Sequence, residues 1–221
     1  VAFIMMQLAG LGSGGLVLKL CARAPADANK FLGQSVAWTL VTAPFFLAVS
    51  VAIMLLIAPP GLPWPLALFI GFSELVSWRI AQTCAMAFVG LGRQTETAIV
   101  AMFIPLARLI TAGIVVILAP EQKLLAFGVA YVISTFAAMI LSVLYTMGHT
   151  GRFKLHLMPF DFVGAMGFAA TNFNTAIQGE SDKLILAYFI TPSDLGIYAV
   201  ATRIMDGAYT PTRALKGLLA S

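Results

Sequence analysis

Three charged side chains stand inside long apolar runs of this chain: Glu74, Arg79 and Arg108. A charge at membrane depth costs at least about 2.5–3.5 kcal/mol on insertion scales, so it persists where it lines a cavity, pairs with another group or does work. Glu74 and Arg79 are five residues apart. That spacing turns a helix through about 500° and puts the two on different faces. Arg79 does share a face with Gln82 and Thr83. Arg108 has no partner on its own helix and needs one from another helix, from water or from an anionic ligand. Further along, Thr171, Thr175, Gln178 and Asp182 recur at i, i+4, i+7 and i+11, a single helical stripe flanked by Asn172 and Asn174. A polar stripe on a membrane helix faces protein or a water-filled cavity, not lipid. Glu180 and Lys183 lie three apart on another side and can pair. Arg203, Asp206, Thr210 and Arg213 also follow helical spacing, with Tyr209 beside them. Together these residues describe a polar interior with a basic bias. Glu180 with Lys183, and Arg203 with Asp206, also read as ion pairs that only orient helices, and charges near span ends can snorkel to the interface.

The elements that must position these groups follow from composition. Of 221 residues, 60% are hydrophobic and 10% charged, and the mean hydropathy is +0.95. Soluble domains carry about 25% charged residues. The composition therefore excludes an ordinary soluble enzyme, a disordered segment and a disulfide scaffold, and it predicts an all-α, polytopic transmembrane bundle. Apolar runs predict about seven spans: 1–18, 31–58, 64–90, 97–119, 124–147, 162–190 and 194–221. Pro59, Pro60, Gly61 and Pro63, then Pro120 with Glu121, then Thr191 to Ser193, mark turns between them. Pro44 and Pro105 fall inside spans and predict kinks. The runs are continuous and far longer than the alternating strands of roughly ten residues that a β-barrel needs.

Alternating spans place Lys19, Arg23, Lys30, Arg93, Arg152 and Lys154 on one side and only Lys123 on the other. The side with six basic residues is expected to be cytoplasmic, which accounts for the net charge of +4 without invoking nucleic acid. Val1 then lies on the outer side, which fits a further helix upstream. The chain stops at Ser221 within a helical pattern and reads as a piece of a longer protein.

Other motifs carry no chemistry. Gly10, Gly12 and Gly15 match G-x-G-x-x-G, but without a preceding strand the dinucleotide reading fails. Gly10 and Gly14 also form G-x-x-x-G, which predicts close helix packing. Cys21 and Cys84 have no metal-type spacing and are expected to be reduced and structural. His149 and His156 belong to a solvated loop at non-ligand spacing. No nucleophile elbow, zinc motif or phosphate loop occurs, and no cofactor is expected.

One segment carries a family resemblance. Ser181–Arg203 reads SDKLILAYFITPSDLGIYAVATR. It resembles the region spanning helices seven and eight of the polysaccharide and O-antigen flippases, which transport lipid-linked oligosaccharides. These belong to the multidrug/oligosaccharidyl-lipid/polysaccharide exporter superfamily. The acidic–basic pair is Asp182 and Lys183, and the "LGIYA-A-R" stretch is Leu195 to Ala199, Ala201 and Arg203. The opening AGLGSGGLVLKLCAR is similar to the family's second helix and the basic loop after it. Ala187 stands where the family usually has glycine.

The resemblance implies one lobe of a two-lobed flippase, helices two to seven with the start of helix eight, and so an incomplete transporter. It implies movement of a polyprenyl-pyrophosphate-linked glycan from the cytoplasmic to the periplasmic leaflet of a bacterial inner membrane, beside other polysaccharide assembly proteins. Arg79, Arg108, Lys183 and Arg203 would attract the anionic headgroup, since the arginine fork can bond two phosphate oxygens at once. Thr171, Asn174, Thr175 and Gln178 would bond sugar hydroxyls. Glu74, Asp182 and Asp206 would bind a coupling proton or sodium ion, or balance charge.

Three other readings compete. A drug exporter of the same superfamily would favour an acidic, aromatic cavity for cations, against the basic bias here. An integral-membrane enzyme of glycan assembly would need catalytic residues or metal ligands in its loops, which are short and hold no such cluster. A non-transporting assembly subunit draws slight support from the G-x-x-x-G packing.

Overall fold

The computed structural model describes residues 1–57, 63–118, 123–157, 161–191 and 193–205. Most of the described residues are helical, with no strand among them. The helices are α1 (Ala2–Leu8), α2 (Ser13–Arg23), α3 (Ala28–Ile57), α4 (Trp64–Phe72), α5 (Arg79–Gly90), α6 (Gln94–Leu118), α7 (Lys123–Thr150) and α8 (Phe162–Phe189). A ninth, α9, covers 193–205. The expected turns at Pro59 to Gly61 and at Pro120 with Glu121, the expected turn residue Pro192, and everything from Asp206 onward lie outside the described residues.

Four stretches are long and apolar enough to cross a bilayer: Ala2–Arg23, Pro25–Leu56, Gln94–Leu118 and Leu124–Thr150. The chain is a membrane protein built as an all-α helical bundle. Its long helices turn Leu, Ile and Val outward, as at Leu56, Leu109, Val116, Ile117 and Ile133, which suits a lipid solvent. The chain divides into two compact units, residues 1–176 and 177–221.

Within the first unit, α5 is the central helix, packed against α2, α3, α6 and α7. Its buried residues include Arg79, Ile80, Thr83, Cys84, Ala87 and Phe88, a face repeating at helical spacing. The α5–α6 connection is a Schellman turn. Gly92 adopts φ 70°, the Arg93 amide donates to the Phe88 carbonyl at 2.9 Å, and the Gly92 amide donates to Val89 at 3.0 Å. The Arg93 side chain then pairs with Glu96 in the first turn of α6. Threonine and serine hydroxyls along α3, α5, α6 and α7 donate to the carbonyl four residues back, as Thr39 does to Ser35 and Thr146 to Ser142. This keeps them satisfied where water is absent.

Two of the predicted spans differ from uninterrupted helices. The first, expected to run unbroken over 1–18, is broken at Ala9–Gly12. Gly10, Leu11 and Gly12 have φ of 74°, 51° and 79°. Left-handed backbone costs a non-glycine residue about 1–2 kcal/mol, and only Leu11 incurs that cost. Freed backbone is tolerated at membrane depth when protein groups satisfy it. Here the Gly10 amide donates to Thr42 Oγ1 at 2.8 Å, and the Ser13 amide donates to the Gly10 carbonyl. Gly10 packs closely as the G-x-x-x-G spacing predicts, a Cβ there lying 2.7 Å from Thr39 Oγ1 of α3, and it also serves the break. A Cβ on Gly12 would lie 1.9 Å from the Ala165 carbonyl oxygen of α8. The second departure is Ser73–Trp78, a six-residue π segment joining α4 to α5.

These contacts set an expected stability difference. Gly12→Ala must clash and hold a left-handed φ, and should cost roughly 2–4 kcal/mol. Gly113→Ala meets nothing within 4 Å and should be neutral or stabilising by about 0.5–1 kcal/mol. Thermal unfolding of both variants in detergent checks the contrast, and equal melting temperatures would contradict the packed break.

Candidate functional site

The π segment carries Glu74 toward α6 and α7. Its Oε1 accepts a hydrogen bond from Arg108 Nη2 and another from the Tyr131 hydroxyl, each at 2.7 Å. The Arg108 guanidinium lies 4.1 Å from the Trp78 ring centroid and 5.0 Å from that of Tyr131. Beside it, Thr135 of α7 donates to Ser73 at 3.0 Å. The partner that Arg108 lacks on its own helix is therefore Glu74, from another element. Charge is balanced inside the cluster, and aromatic faces cover the cation, a favourable arrangement away from water. A π segment in an otherwise α-helical span often accompanies a functional site.

Arg79 is different. It opens α5, is only 2% exposed, and heads the largest fully buried side chains. Its one hydrogen bond is a long contact from Nη1 to Gln82 Oε1, 3.4 Å. Nε and Nη2 are buried without a partner among the described residues. The guanidinium lies against the first turn of α2, where a Cβ on Gly14 would sit 3.5 Å from Nη2. The cavity here is about 200 Å³ and is lined by Gly14, Gly15, Gln82, Thr83 and Asn172 among others.

The polar stripe of α8 falls across both units. Thr171 and Thr175 are exposed, and their hydroxyls donate to the Gly167 and Thr171 carbonyls at 3.0 Å. Their oxygens keep lone pairs only for accepting. Asn174 and Gln178 are exposed. In the second unit Lys183 pairs with Glu180 at 3.0 Å. Asp182 accepts from the Tyr198 hydroxyl at 2.5 Å and from the Lys183 amide at 2.8 Å. Arg203, Lys183 and Glu180 line an open cavity of about 430 Å³. Asp206 lies outside the described residues.

The structure thus joins Glu74 to Arg108, and Lys183 and Arg203 to one cavity. Within the first unit, Arg79 makes no bond to the Glu74–Arg108 pair. Sequence reasoning missed Tyr131, Trp78 and the backbone break. Three glycines within residues 10–14 were the available signal for the break. Nothing local pointed to Tyr131, which lies 57 residues from Glu74. Among the described residues, no three His, Cys, Asp or Glu side chains gather as a metal site would require. No protein-family model, curated protein or solved structure matches the chain.

The partly buried pair yields a double-mutant cycle. Glu74→Gln and Arg108→Gln alone should each cost about 3–5 kcal/mol, because each strands the other charge, and together they should cost clearly less than their sum. Denaturant unfolding in micelles measures this. Additive costs would mean that the two charges do not depend on one another.

Proposed function

We propose that this chain belongs to a transporter that moves an anionic, polyprenyl-pyrophosphate-linked glycan from the cytoplasmic to the periplasmic leaflet of a bacterial inner membrane. One observation carries this reading: a membrane-span helix is broken, and the start of its second half meets a buried, uncompensated arginine. Broken helices whose half-helix ends face the substrate are a device of secondary transporters. A buried charge without a partner in such a place is by default functional. The resemblance of Ser181–Arg203 to the lipid-linked oligosaccharide flippases supplies the substrate class.

In this reading Arg79 and the Lys183–Arg203 cavity attract the phosphate-bearing headgroup, while the lipid tail stays in the bilayer. Arg108, its charge balanced by Glu74, holds α6 against the π segment and contributes less to attraction. Thr171 and Thr175 accept from sugar hydroxyls, whereas Asn174 and Gln178 can both donate and accept. Asp182 is held by Tyr198 and balances Lys183, and Glu74 and Asp206 remain the other candidates for a coupling proton or sodium ion. Rocking of one lobe against a second gives alternating access. The basic bias favours this substrate over the cations of a drug exporter.

Native mass spectrometry of the gently purified protein tests the reading. Wild type should retain a polyprenyl-pyrophosphate lipid, and Arg203→Ala should retain markedly less. No such lipid in the wild type, or equal retention in both, would overturn the proposal.

A further inference from the structure

We propose that Arg79 and the first turn of α2 form a binding site for a single phosphoryl-class oxyanion. A buried ion costs several kcal/mol unless a counter-charge compensates it. Arg79 lies 2% exposed, and neither Asp nor Glu lines its cavity.

The two unpartnered atoms are Nε and Nη2. They form one edge of the guanidinium, the fork that grips two oxygens of one anion through parallel hydrogen bonds. Nη1, on the other side, already leans on Gln82. The open edge is therefore the one suited to a two-oxygen ligand.

A second positive feature lies at the same corner. Helix α2 runs eleven residues from Ser13, and its first turn, where the macrodipole is positive, lines the cavity through Gly14 and Gly15. The guanidinium is in van der Waals reach of this turn: a Cβ on Gly14 would lie 3.5 Å from Nη2 and 3.6 Å from Cζ. Two like fields face each other with no acid between them, an arrangement that an anion would resolve.

Size and lining narrow the ligand. A cavity of about 200 Å³ exceeds what one water needs but falls short of the roughly 300–1,000 Å³ of pockets for drug-sized ligands. One phosphoryl group fits and a sugar chain does not. A carboxylate would place both of its oxygens on Arg79, in the plane of the fork. A tetrahedral phosphoryl group keeps further oxygens for the side-chain amides of Gln82 and Asn172. The Thr83 hydroxyl donates to the Arg79 carbonyl at 3.0 Å, so it offers no donor. Arg108 also has a buried Nε without a partner among the described residues, but its charge is met by Glu74 at Nη2.

The source of the phosphoryl group rests on the transport reading: a lipid-pyrophosphate headgroup if that reading holds, free inorganic phosphate if it does not. The geometric case for the site does not depend on the choice.

Equilibrium dialysis on the full chain in detergent decides it, with inorganic phosphate, farnesyl pyrophosphate and acetate as probes. Wild type should bind at least one phosphoryl probe saturably and acetate much more weakly. Arg79→Gln should weaken that binding about tenfold or more, as expected for losing a charge-assisted pair of bonds. Arg79→Lys, which keeps the charge but not the fork, should fail to restore it. In phosphate-free buffer, Arg79→Gln should melt no lower than wild type, because it removes an uncompensated charge. A purely structural arginine would give the opposite. Gly14→Asp provides a second route that does not rely on losing the arginine. Its carboxylate would take the place of the anion, leaving the protein folded and phosphate binding lost. Binding of inorganic phosphate identifies a free-anion source, and binding of farnesyl pyrophosphate alone identifies a headgroup. Binding of neither by folded wild type, acetate bound as tightly as phosphate, or undiminished binding by Arg79→Gln overturns the site. The lipid co-purification test addresses transport alone, so either proposal can fail without the other.

Discussion

Charge placed at membrane depth is the constraint on which the rest of this structure depends. Glu74 resolves it by drawing Arg108 from α6 and Tyr131 from α7 onto one carboxylate oxygen. Those bonds tie two lipid-facing helices to the inner span, where the apolar effect that drives folding in water offers no preference between lipid and protein. Polar contacts and close packing must do the selecting, and they do so here at a small number of points. Thr135 on Ser73 and Thr42 on the Gly10 amide are others of the same kind.

The π segment explains how one span serves two neighbourhoods. Ser73–Trp78 carries Glu74 and its cluster and runs directly into Arg79, the first residue of α5. The acid faces α6 and α7, and the arginine faces α2. An ion pair between them would have neutralised both within one helix and left nothing to bind. Separation leaves the acid paired with Arg108 and Arg79 without a counter-charge among the described residues. The glycine-rich break in the first span has a matching consequence. It starts a new helix at Ser13, and with it a new positive helix end, beside that arginine rather than at the membrane surface.

Much of the fold was legible from residue order. Long apolar runs predicted an all-α bundle, because in a bilayer each span must satisfy its own backbone and so must be a helix. The Glu180–Lys183 pair was legible too, since three-residue spacing is a local property of the helix. The first span was misread as continuous. Glycine suits tight helix packing and left-handed backbone equally, and spacing alone does not distinguish them. The close approach of Gly12 to Ala165 involves a helix about 150 residues away.

Composition and periodicity alone determined that this is a helical membrane protein and which side chains carry charge into its spans. The reason is that solvent preference and helix geometry act residue by residue. Which of those charges are balanced was decided only by tertiary structure. Arg79 and Arg108 look alike in sequence, each an isolated arginine in an apolar run. One meets a carboxylate from 34 residues away, and the other meets the start of a broken helix and a small cavity. Their difference comes from helix packing and from a change in helical pitch, and neither is encoded in the neighbourhood of either residue.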